Sequence, residues 1–206
     1  MSRRTIVISA AAGAVVAAAL WWRKHPSACP YSQRFWVEAP HPFITRDRLR
    51  EALQPQPGER VLEVGPGTGY YTLPVARWLA PDGSLHVLDV QQEMLDHTMR
   101  RAGDEAVTNV EPRLGDAQAL PYDDASFDAA YLVTVLGEVP DQDAALRELR
   151  RVLRPNGRLV VGELFGDPHM VGAASLRHRA TGAGLRFERR VGPRWGYFAV
   201  LRRGPE

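Results

Sequence analysis

Two carboxylates and three glycines, at fixed spacing, carry most of the chemistry legible in this chain. Glu63 lies in the apolar run Arg60-Val61-Leu62-Glu63-Val64, and Gly65, Gly67 and Gly69 follow it as G-x-G-x-G. Asp89 ends the next apolar run, His86-Val87-Leu88-Asp89. A strand, a glycine-rich turn, a helix and an acid at the end of the next strand form an arrangement that holds an adenosine-containing ligand. The details choose among such ligands. A dinucleotide fingerprint needs a small residue after the third glycine so that a helix can pack under a pyrophosphate; here that residue is Tyr70. Glu63 at the mouth of the turn would repel a pyrophosphate and suit a cation. S-adenosylmethionine (SAM) has no phosphate and carries a sulfonium and an ammonium, so these residues favour SAM over NAD.

Further acids and polar groups recur where strands should end. Gly115-Asp116-Ala117 follows the third apolar run, and Leu132-Val133-Thr134-Val135-Leu136-Gly137-Glu138 closes the fourth. Together with the glycine turn and Asp89, these motifs resemble those of class I SAM-dependent methyltransferases, of the group that includes quinone-ring and other small-molecule methylases. The similarity runs from about His41 to Arg202. It implies a Rossmann-like α/β fold, a doubly wound, seven-stranded, mostly parallel sheet. By the same resemblance Glu63 takes the methionine ammonium, Gly65, Gly67 and Gly69 let the backbone approach the cofactor, and Asp89 accepts both ribose hydroxyls. Val90, Gln91 and Met94 lie where adenine contacts are expected, Met94 serving equally as core. Asp116 accepts from the adenine amine with the backbone of Ala117 beside it, and Thr134 borders the methionine portion. Relatives often carry a His pair where Gly137-Glu138 stands, and this departure removes one base and places a carboxylate by the cleft.

Methyl transfer needs a base only when the acceptor must lose a proton. Glu138, Glu163 and His169 are the candidates, with His41 a fourth; each also has an ordinary structural reading. Tyr31, His41 and Phe43 could instead form a lid. The acceptor read from these features is small, and a lipophilic, membrane-associated one such as a quinone is suggested by the N-terminus described below. A protein or peptide methyltransferase and a non-catalytic SAM-binding protein are the alternatives. An NAD-dependent oxidoreductase lacks its Tyr/Lys-type set.

The elements that must position these groups alternate regularly. Strands are expected at 60–64, 84–89, 109–114, 127–133, 159–163, 186–190 and 197–202, and helices at 46–53, 71–79, 92–101, 141–153 and 175–183. Phe127–Val133 is a nearly unbroken apolar run, as a central parallel strand covered on both faces requires. Asp141 is placed to cap its helix. The last two strands are close enough for a hairpin that gives the sheet an antiparallel edge.

With 206 residues, 45% hydrophobic and 24% charged, the chain suits one globular domain. The formal net charge is +2, and no basic block is interleaved with aromatics, so no nucleic-acid partner is expected. The single cysteine, Cys29, excludes an internal disulfide and a cysteine-based zinc site, and the six histidines lack metal-ligand spacing; no metal is expected.

Residues 1–25 differ from the rest. Ile6 to Trp22 is an uncharged run, preceded by Arg3 and Arg4, followed by Arg23 and Lys24, and ending in Trp21-Trp22. As a helix it spans roughly 25 Å, slightly short of a hydrocarbon core of about 30 Å. It reads first as a membrane anchor with the catalytic domain in the cytoplasm, where SAM is found. A cleaved signal, a lipoprotein signal ending at Cys29 and a soluble Ala-rich helix on a cytoplasmic protein are the competing readings. Residues 26–58 read as a linker and lead-in helix, and 59–206 as the methyltransferase domain.

Overall fold

Strand β4 (Phe127–Val133) has an apolar residue at nearly every position, so neither of its faces can meet water, and it lies in the middle of a sheet. The computed structural model describes residues 26–33, 35 and 42–205. On one side β4 pairs with β1 (Arg60–Val64), which pairs in turn with β2 (Ser84–Asp89) and then β3 (Val110–Leu114). On the other side lies β5 (Leu153–Leu164), followed by β7 (Gly196–Arg203) and β6 (Leu185–Val191). All pairs are parallel except the two that β7 makes, antiparallel to β5 and β6. The antiparallel strand is thus inserted one place in from the edge. Pro112 sits in β3, an edge strand, where a missing N–H costs no ladder bond.

Alternation along the strands sorts the core into two halves. Leu62 and Leu132 join one apolar cluster with Leu146 and Leu149 of α4 (Gln142–Val152) and Leu176 of α5 (Ala173–Gly182). Val61 and Tyr131, one position away on the same strands, join the other with Leu49 and Leu53 of α1 (Arg46–Leu53), Val75 and Leu79 of α2 (Thr72–Leu79) and Leu95 of α3 (Gln92–Asp104). Each such leucine, fully buried, stabilises by about 1.5–3 kcal/mol relative to leaving it exposed. Asp141 accepts from the Ala144 amide at 2.8 Å and caps α4. Asp128 accepts from the Arg60 amide at 2.9 Å, pinning the start of β1 to β4.

Strand β5 is longer than the apolar run 159–163 suggests. Pairing with β4 already begins at Phe127 opposite Leu153, and a bulge lets Pro155-Asn156-Gly157 loop out before Ala129 meets Arg158. Asn156 takes the left-handed conformation the excursion requires, φ 61°. The expected N-terminal hydrophobic helix, 6–22, lies outside the described residues. Among those described, no helix is long and apolar enough to cross a membrane.

Candidate functional site

β1 and β4 are neighbours although the chain leaves one eastward and the other westward through the sheet, and the loops after them part to leave a crevice. A cavity of about 310 Å³ opens there, at the carboxyl ends of the strands. Its wall includes eight of the ten residues expected to meet a cofactor: Gly65 and Gly67 after β1, Asp89, Val90 and Gln91 after β2, Asp116 and Ala117 after β3, and Thr134 after β4. Met94 lines it too.

Each wall residue is positioned by local structure. Gly65 has φ 69°, and a side chain there would run into Val135, so the first glycine is what lets the loops after β1 and β4 close on each other. Asp89 is held by the Gln91 amide, which donates to its Oδ1 at 2.9 Å, leaving the rest of the carboxylate for a ligand. Burial pushes its pKa up to about 6. Thr134, a β-branched residue, is held at φ 56° and donates its hydroxyl to the Val133 carbonyl at 2.7 Å. Such backbone strain in a non-glycine residue concentrates at functional sites. Asp116 is already engaged: Gln118 donates its side-chain amide to Oδ2 at 2.8 Å and its backbone N–H to Oδ1 at 2.9 Å. A ligand amine arriving there would share the carboxylate with Gln118 or displace it.

Two of the expected residues lie behind the wall. Glu63 is buried beneath the glycine turn and accepts from the Thr72 hydroxyl at 2.6 Å, tying β1 to the start of α2. Burial pushes its pKa up to about 7. Gly69 lies against Thr98 of α3.

The three base candidates separate in space. Glu138 lines the cavity, and burial pushes its pKa up to about 7. Glu163 is buried behind it, its Oε2 accepting from the Val171 amide at 3.0 Å and its Oε1 without a hydrogen-bond partner among the described residues. Burial holds that carboxyl well above the usual carboxylate range. His169 borders a second hollow with Gly137 and Met170 and is not part of the cavity wall. A side chain at position 137 would collide with the carbonyl of His169, so the loop after β5 leaves no room for the histidine common in relatives.

Of the expected lid residues that are described, Tyr31 is tied to the cavity wall through Gln91 and Phe43 is not. Ser27, Ala28 and Cys29 lie across the cavity as a strap. Gln91 clamps it, donating to the Cys29 carbonyl at 2.9 Å and accepting from the Tyr31 amide at 3.2 Å. Glu138 accepts from the Cys29 amide at 3.1 Å. Tyr31 reaches His97 on α3, 3.2 Å from its Nδ1, while Phe43 lies away from the cavity against Gly196, and His41 lies outside the described residues. The strap and Gln118 are the parts that sequence reasoning missed.

The lining tests the ligand. Among the described residues the wall carries Asp89, Asp116 and Glu138 and neither Lys nor Arg. That set offers acceptors to hydroxyls, amines and cations and nothing to a phosphate. The apolar strip from Val90, Met94, Ala117 and Pro140 suits the faces of a flat base. These features fit SAM.

Comparison with known proteins agrees. A family described as a methyltransferase domain matches residues 61–157. The ubiquinone/menaquinone biosynthesis C-methyltransferase UbiE of Hahella chejuensis is 39% identical over 112 residues, 54% of this chain and 45% of that protein. The demethylmenaquinone methyltransferase of Lactobacillus johnsonii is 34% identical over 119 residues, 57% of this chain and 49% of that one. The chain thus spans about half the length of these curated relatives. A SAM-dependent methyltransferase from Aquifex aeolicus superposes with a TM-score of 0.76 at 20% identity, covering 84% of this chain and 98% of that one, which bears on the fold alone.

Proposed function

The chain carries a class I SAM-dependent methyltransferase domain, and from that premise we propose that it moves a methyl group from SAM to a small lipophilic acceptor such as a quinone-like ring. The observation that carries the reading is the cavity wall, with its acids at the ends of β2, β3 and β4 and, among the described residues, neither Lys nor Arg. The similarity to quinone methyltransferases and the brevity of the segment between β5 and β6 support a small acceptor.

When bound, the cofactor supplies a methyl group already activated by its sulfonium charge. The chain's residues have then to align the acceptor, exclude water and take up a proton. Asp89 holds the ribose hydroxyls, Asp116 and the Ala117 backbone meet the adenine edge, and Val90 and Met94 cover its faces. Gly65 and Gly67 bring the backbone close. Thr134 borders the methionine portion, and Glu63 acts from behind the turn through its charge. Glu138 receives the acceptor's proton, while Glu163 and His169 shape the neighbouring hollow. The uncharged run 6–22 would hold the domain at a cytoplasmic membrane face, where such acceptors dissolve.

A second reading, a polar acceptor such as a peptide, is favoured by that hollow, whose wall includes Gln142, His169, Ser175 and Arg179. One assay separates the two. With methyl-labelled SAM, the full-length protein should label a membrane lipid extract and leave a protein extract unlabelled. Asp89→Ala removes the acceptor of two hydroxyl bonds, each worth about 1.5–3 kcal/mol when one partner is charged. Labelling should fall at least about a hundredfold; labelling that survives the substitution contradicts the proposal.

A further inference from the structure

Three aromatic rings face solvent at the carboxyl edge of the sheet, outside the cavity. Phe165, directly after β5, is 69% exposed; Trp195, directly before β7, is 44% exposed; Phe43 is 39% exposed. They form one patch. The rings of Phe165 and Trp195 meet edge to face with centroids 6.2 Å apart, and the Phe165 amide donates to the Trp195 carbonyl at 2.6 Å. Phe43 packs on the backbone of Gly196, next to Trp195. Scattered exposed apolar residues need no explanation, but a contiguous aromatic patch marks a contact surface.

The rim of the patch is cationic. Arg194 stacks over the Trp195 ring at 4.2 Å. Arg48 donates to the Phe43 carbonyl at 2.7 Å, and Arg46 lies over the Tyr70 ring at 4.2 Å. Asp47 is the acid in the same turn. Tryptophan and phenylalanine suit the headgroup level of a bilayer, and arginines beside them suit anionic lipid.

The described chain begins on the same side. Pro26 to Cys29 lies at this edge, Pro26 in the hollow beside His169 and Cys29 across the cavity. The uncharged run ends at Trp22, four residues before Pro26 in the sequence.

We propose that the carboxyl edge docks on an anionic lipid bilayer, with Phe165 and Trp195 inserted at headgroup depth and Arg46, Arg48 and Arg194 against lipid phosphates. Docking there turns the cofactor cavity toward the membrane, and this purpose, though not the docking itself, rests on the proposed lipophilic acceptor.

Hydrogen exchange of the full-length protein, with phosphatidylcholine vesicles with and without phosphatidylglycerol, tests it. Exchange in 164–167 and 193–197 should slow on the anionic vesicles. The double substitution Phe165→Ser, Trp195→Ser should partition about tenfold more weakly while binding S-adenosylhomocysteine unchanged, which also shows that it folds. Unchanged exchange in both stretches on vesicle-bound protein would mean that the N-terminal run alone makes contact and would overturn the proposal. Equal partition onto pure phosphatidylcholine would overturn the anionic assignment. Slowing that grows with protein concentration without vesicles would give the patch to a second copy, again against it. S-adenosylhomocysteine titration of the unsubstituted protein reads the methyltransferase proposal separately, because it needs no vesicle.

Discussion

Asp89, Glu63 and Glu138 share one electrical predicament: burial leaves their charged forms poorly solvated, and their pKa values rise to about 6, about 7 and about 7. A cation placed among them reverses the penalty, because opposite charge favours the ionised form. Cofactor binding is therefore linked to proton release. Below pH 6 Asp89 is mostly protonated and a weaker acceptor for two hydroxyls, and Glu63 is mostly neutral. SAM affinity measured by titration calorimetry should be at least about tenfold weaker at pH 5.5 than at pH 7.5. In the cofactor-free protein the sign is opposite: these acids hold protons more tightly folded than unfolded, so stability falls as pH rises from about 4.5 to about 7. Glu138 adds a kinetic consequence. As a base it works ionised, so the rate should climb through pH 7 and level off above it. Glu138→Gln should flatten that limb and lower turnover at saturating SAM about 10²–10⁴-fold. A pH–rate profile that keeps its limb in the variant would remove Glu138 from proton transfer.

Among the elements, the strap is fastened by single side chains. Gln91 stands to residues 29 and 31 as a neighbouring strand would, giving one N–H and taking another, and Glu138 holds the Cys29 amide. Losing the Gln91 amide removes two hydrogen bonds worth about 0.5–1.5 kcal/mol each. Gln91→Ala should speed dissociation of S-adenosylhomocysteine about tenfold in stopped-flow experiments, with association little affected, since the strap closes after entry. Unchanged dissociation would make the strap a bystander. No pattern in the sequence announces this element. Its anchors are single side chains meeting backbone across 60 to 109 positions, and tertiary hydrogen bonds have no period. The glycine turn, Asp89 and the apolar run of β4 are legible because local geometry dictates them: a turn too tight for a side chain, an acid closing a strand, a strand covered on both faces. Strand β5 was half legible. The run Leu159–Glu163 shows itself, whereas its start hides behind Pro155-Asn156-Gly157, which reads as a turn and proves to be a bulge.

At the scale of the molecule, overall charge and site charge disagree, and the disagreement defines the ligand. The whole chain is nearly balanced at +2, yet the cavity wall has three acids and, among the described residues, neither Lys nor Arg. The sheet order explains how. Strands β2, β3 and β4 each end in an acid or lead to one within a few residues, and only the parallel arrangement brings those ends to one edge. Sequence reading found Asp89 and Asp116 from their places after strands, but not that the arginines would be kept off the cavity wall, because side-chain placement at a rim is decided by packing rather than by period. Like charges facing each other across a desolvated contact cost several kcal/mol. A pyrophosphate entering this wall meets that cost without an arginine or lysine to offset it, whereas a sulfonium meets attraction. NAD should therefore bind at least about a hundredfold more weakly than S-adenosylhomocysteine in parallel calorimetric titrations. Comparable affinities would mean that the strap or the loop after β4 rearranges to bring a cation into the cavity, and the assignment of the wall as cation-seeking would fall with it.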